Sequence, residues 1–129
     1  MMKSLKVLFL FLLTTKQLSA QNQQSKAELE KEIIGSWHYE NSSQDKIIYF
    51  EDGTVKRYHA EVLRSTGKYE IVKECDGEKL QHDNFFLKET DRDRGASVCV
   101  YIEAINFENN GIFSIMTRPQ GKIVVLKKD

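Results

Sequence analysis

The sequence predicts an all-β fold, an antiparallel up-and-down barrel of about eight strands preceded by one short helix. Three observations lead there. Downstream of Gly35, β-branched and aromatic residues recur in short runs that alternate with polar ones, the signature of strands. The runs are punctuated by turn signals, Asp52-Gly53, Asp76-Gly77, Asn110-Gly111 and Pro119-Gln120-Gly121, in a chain with a single proline. The connections are short, so consecutive strands pair, and a meander of this size closes because closure removes its edges. A two-sheet sandwich needs longer crossing connections.

The chain has 129 residues, enough for one domain. Lys3 and Lys6 precede the apolar run Val7–Leu13, and Ser19-Ala20 precede Gln21. A basic start, a short apolar run and a small residue at the cut describe a secretion signal over residues 1–20. The run is much shorter than the roughly 20 residues that span a bilayer. The expected protein is therefore exported, periplasmic or extracellular, with no membrane span once the signal is removed. The leader holds three of the 19 basic residues and none of the 19 acidic ones, which leaves a mature net charge of −3. That balance, with no basic block, argues against a nucleic-acid partner. Cys75 and Cys99 are the only cysteines. In an oxidising compartment they are expected to pair.

Residues 21–26 read as a flexible N-terminus, and residues 27–129 as the barrel domain. Ser25 with Glu28 three positions on is a capping box, and Ala27–Ile34 favours helix, with Leu29, Ile33 and Ile34 on one side. Strands are expected over Ser36–Asn41, Lys46–Glu51, Thr54–Val62, Gly67–Glu74, Lys79–Thr90, Ser97–Phe107, Ile112–Arg118 and Lys122–Lys127. In a plain meander the two cysteines fall at opposite ends of the barrel, too far apart for a bridge. The chain is expected to reverse once more between them, at His82-Asp83-Asn84.

The first hairpin can be read face by face. A two-residue Asp52-Gly53 turn pairs Phe50 with Val55 and Ile48 with Arg57, which puts these four inside and Ile47, Tyr49, Lys56 and Tyr58 outside. Arg57 and His59 would then be interior. An inward Arg requires an acid, a wet lumen or an anionic ligand. Tyr39 and Tyr69 share the inward phase.

Gly35-Ser36-Trp37, after a short helix and at the first strand, resembles the opening of the lipocalin family and its calycin relatives. The hairpin Tyr49-Phe50-Glu51-Asp52-Gly53-Thr54-Val55, then Gly67-Lys68-Tyr69-Glu70-Ile71 and Gly121-Lys122-Ile123-Val124-Val125-Leu126, are similar to small exported lipocalin-like domains of Bacteroidetes-type bacteria. The resemblance covers most of residues 27–127. It implies that Trp37 plugs one end of the barrel and that the lumen holds a small apolar or amphiphilic molecule. The expected ligand-binding residues are Trp37, Tyr39, Ile48, Phe50, Val55, Arg57, His59, Tyr69 and Ile71, with Arg57 and His59 near a polar head group.

No catalytic constellation, metal-ligand spacing or phosphate loop is visible. His38, His59 and His82 match no metal motif, and the Glu and Asp residues alternate with Lys, as in Lys88-Glu89, like a solvated strand face. The chain is therefore not expected to be an enzyme or to need a cofactor or metal. The alternative function is a protein-interaction or inhibitor module whose barrel is filled by its own side chains, with the loop Asp91–Gly95 as a contact for a protein partner.

Overall fold

Short alternating runs joined by tight turns leave each strand one apolar face, and closure is how all of those faces are buried together. The computed structural model describes residues 24–118 and 120–129. The expected secretion signal lies outside the described residues. A helix, α1 (Lys26–Glu32), leads into β1 (Gly35–Tyr39), β2 (Ser42–Tyr49), β3 (Thr54–His59) and β4 (Val62–Val72). A two-stranded ribbon follows, β5 (Glu74–Cys75) and β6 (Glu78–Lys79), and then β7 (Phe86–Asp91), β8 (Ser97–Ile105), β9 (Ile112–Met116) and β10 (Ile123–Lys128). The eight main strands form one closed antiparallel barrel in the order β1-β10-β9-β8-β7-β4-β3-β2, with the β5-β6 ribbon outside it.

One end of the barrel is plugged. Ser25 caps α1, and Glu28 completes the capping box. Leu29 and Ile33 are buried, whereas Ile34 lies past the helix end and is exposed. Trp37 is fully buried, and its indole N–H donates to the Ile33 carbonyl at 2.9 Å. The Phe113 ring meets it edge-on at 5.3 Å, and the Lys128 ammonium lies 5.8 Å from the indole centroid. The stretch expected to be loose is anchored in its described part. Gln24 is buried, donating from Nε2 to the Ile105 carbonyl at 2.7 Å and accepting the Ile105 N–H at 3.0 Å. Its amide thus satisfies backbone groups as a neighbouring strand would.

The first hairpin departs from the expected register. Tyr49, not Phe50, pairs with Val55, and Ile47 pairs with Arg57. The connection is four residues, Phe50–Gly53. The Gly53 N–H donates to the Phe50 carbonyl at 3.1 Å, the Asp52 carboxylate accepts the Thr54 N–H at 2.9 Å, and Gly53 has φ +90°. Moving one residue along one strand flips all of its side chains. Ile47 and Tyr49 are therefore inside, and Ile48 and Phe50 outside, while Val55 and Arg57 stay inward as expected.

Farther round, β4 and β7 approach unusually closely. A Cβ on Gly67 would sit 2.4 Å from the Thr90 carbonyl oxygen, so only glycine fits there.

The extra reversal between the cysteines is present. The chain turns at Asp76-Gly77 and again at His82-Asp83, which splits the expected Lys79–Thr90 strand. The Cys75–Cys99 disulfide, with Cα atoms 6.5 Å apart, ties the ribbon to the outer face of β8. Phe86 is buried between them, and Arg118 covers its ring at 4.8 Å while pairing with Glu78 at 2.6 Å.

Two predictions follow from this architecture. Replacing both cysteines with alanine should cost about 3 kcal/mol, the loop-closure value for a bridge of this span, read as a lower urea midpoint. The second concerns the β1-β10 seam, where Asp129 accepts the Ser36 hydroxyl at 2.5 Å and lies 2.6 Å from His38 Nδ1. Desolvation raises the Asp129 pKa, but the Ser36 and His38 hydrogen bonds and the Lys46 charge outweigh it and hold the carboxyl below its usual value of 3.8. A depressed folded pKa gives stability that is present above the unfolded value and lost as pH falls through the folded one. Urea midpoints should therefore drop more steeply below pH 4 in the parent than in Asp129→Asn.

Candidate functional site

The plugged end holds the bulk of the aromatic core, and the opposite end does not fill. A cavity of about 340 Å³ opens between the inner faces of β1-β4 and β7-β10. Its apolar wall comes from Ile47, Val55, Leu87, Val100, Ile115 and Leu126. These side chains sit at inward strand positions, and Leu87 and Val100 are register partners on the adjacent strands β7 and β8. Val98, 63% exposed, stands at the mouth, next to Ala96 and the turn that follows Asp91.

Four polar side chains form a connected group on this wall. The Arg57 Nη2 donates to Glu89 Oε1 at 2.6 Å, and Nη1 donates to the Tyr39 hydroxyl oxygen at 3.2 Å. The Tyr49 hydroxyl donates to Glu89 Oε2 at 2.9 Å. The inward arginine thus finds an acid two strands away, which is how a charge is tolerated in a low-dielectric interior. Burial works against the Arg57 cation, but the Glu89 charge and the neighbouring phenols more than compensate and keep it protonated. Burial, then the Glu89 charge, pushes the Tyr49 phenol well above 10. Tyr49 also packs edge-on against Tyr69 at 5.0 Å, so its ring belongs to the core and its hydroxyl to the cavity.

Of the residues expected to bind a ligand, Tyr39, Val55 and Arg57 line the cavity. Trp37, Tyr69 and Ile71 face inward but lie toward the plugged end, outside the lining; the Tyr69 hydroxyl donates to the Phe50 carbonyl at 2.6 Å. His59 is at the rim, with Nδ1 2.7 Å from the Asp45 carboxylate, which also accepts the Ser42 hydroxyl at 2.6 Å. Ile48 and Phe50 are on the outer surface for the register reason given above: Ile48 borders a surface concavity beside Tyr58, and Phe50 lies under the Lys56 ammonium.

Glu89 and Tyr49 were not anticipated inside. Lys88-Glu89 has the alternation of a solvated strand face, yet Glu89 shares the period-two phase of Leu87, and that phase is the signal that places it inward. Asp91 is next in the phase. It caps its own turn, accepting the N–H groups of Asp93 and Arg94 at 2.8 and 3.0 Å, and these bonds lower its pKa.

The raised Tyr49 pKa has a measurable consequence. A phenol that stays protonated in the folded state but ionises near 10 when unfolded makes stability fall as pH rises above about 10. Tyr49→Phe should flatten the alkaline limb of a urea-midpoint profile. In the parent, absorbance at 295 nm should show one tyrosine ionising only as the barrel unfolds.

Among the described residues, no helix is long and apolar enough to cross a membrane. The closed eight-strand antiparallel barrel with its N-terminal helix is consistent with a lipocalin-like fold. Family models, curated proteins and solved structures yielded no match to this chain.

Proposed function

We propose that the protein is an exported binding module that holds a small, largely apolar molecule in the open half of its barrel. The observation that carries the reading is the 340 Å³ cavity itself, walled in large part by aliphatic side chains and carrying the hydrogen-bonded Arg57–Glu89 group. Ligand sites have this composition and reach down to about 300 Å³. A barrel of this size filled by its own side chains would have no such space. The disulfide fits an oxidising compartment, and the leader supplies the route there. Binding, rather than catalysis, is the reading because the polar groups are hydrogen-bonded to one another and include no nucleophile beside a free base.

The test uses the mature chain with N-phenyl-1-naphthylamine, a neutral probe that fluoresces in apolar surroundings. Saturable one-to-one binding is expected. Val98→Trp, a change at an exposed mouth position, should weaken binding at least tenfold and leave the melting temperature unchanged. Absence of saturable binding in the parent, together with a bare native mass after purification from the host, would sink the reading and favour a protein partner.

A further inference from the structure

The polar group in the lumen has a definite hydrogen-bonding sense. Both Glu89 oxygens are engaged, one by Arg57 and one by Tyr49. Tyr49 uses its proton on Glu89. Tyr39 accepts from Arg57, so its own O–H is left as a donor. A guanidinium has five N–H groups, and among the described residues Arg57 places two of them on protein partners. The donors this group has left are the Tyr39 O–H and the remaining Arg57 N–H groups, while the Ser65, Thr66 and Thr90 hydroxyls and the Asp91 carboxylate are elsewhere on the lining.

The charge balance points the other way from an anion site. The charged residues of the lining are Arg57, Glu89 and Asp91, one cation and two anions. At the rim, His59 is paired with Asp45. Arg92 and Arg94 are in the exposed turn beyond Asp91 and do not contribute to the lining. A carboxylate or phosphate entering the lumen would meet an arginine already neutralised by Glu89, with Asp91 near the mouth. An ammonium entering this group would lie against the like charge of the Arg57 guanidinium.

We infer that the ligand is an uncharged amphiphile whose polar end is a hydrogen-bond acceptor, such as a ketone, ester or amide carbonyl, received by Tyr39 and Arg57 and followed by an apolar body along the wall formed by Val55, Leu87 and Ile115. This rests on the lumen-binding reading above. The Arg57–Glu89 pair then acts as a specificity device: it provides directed donors while cancelling the charge that would select an anion.

Competition against N-phenyl-1-naphthylamine at pH 7.5 tests this with three molecules of equal chain length, 2-decanone, decanoate and decylammonium. The ketone should compete at least tenfold more tightly than either ion. Glu89→Gln removes the neutralising charge and should bring decanoate to parity with the ketone or beyond. Tyr39→Phe, which keeps the ring and loses one donor, should weaken the ketone several-fold and leave decanoate unchanged, and it gives the answer even where Glu89→Gln does not fold. Decanoate or decylammonium binding as well as the ketone in the parent would overturn the inference while leaving the lumen reading intact. Failure of the probe and of all three competitors to bind would overturn both.

Discussion

The ion pair between Arg57 and Glu89 is the constraint around which the polar part of the lumen is built. It joins β3 to β7 across the intervening β4, and it holds both charges on the inner wall of the barrel. Either residue alone would be a charge stranded against aliphatic side chains, which is far more costly than the pair. Together they leave room for two tyrosines, one on each side, and define where the lumen is polar. Ile47, Val55, Leu87, Val100, Ile115 and Leu126 supply the apolar part of the wall, while Ser65, Thr66, Thr90 and Asp91 add polar groups to it.

The tyrosine that joins this pair from β2 depends in turn on strand register. A Phe50–Gly53 loop of four residues, rather than two, rotates Ile47 and Tyr49 inward, and only then can the Tyr49 hydroxyl reach Glu89. One strand over, the β4-β7 register sets Glu89 opposite Tyr69 and Gly67 opposite Asp91, where the Thr90 carbonyl leaves no room for a Cβ. The barrel is thus divided along its axis. The end near α1 is filled by Trp37, Phe113 and Tyr49, and the other is left open.

Much of this division was legible in the residues. The capping box at Ser25, the inward phase of Val55 and Arg57 and the extra reversal demanded by Cys75 and Cys99 follow from local chemistry, and the plug at Trp37 from the resemblance carried by Gly35-Ser36-Trp37. The register of the first hairpin did not, because both alternations, Ile47 with Tyr49 and Ile48 with Phe50, are equally apolar, and Asp52-Gly53 serves a two-residue or a four-residue loop alike. Glu89 was hidden for a different reason. A charged residue beside a lysine has the composition of a wet surface, and only the partner on a distant strand shows that it belongs inside. Gln24 escaped notice because its role is to imitate backbone, which no side-chain pattern announces.

Ser36 and Asp129 meet across the seam between the first and last strands, at the same end of the barrel as α1. Both ends of the described chain therefore leave from the plugged side, and the mouth faces the opposite way. Anything attached through either end, whether a surface, a carrier or an affinity support, would orient the molecule with its opening outward. The cavity would stay accessible from the surrounding solution, as a cup stands upright on its base.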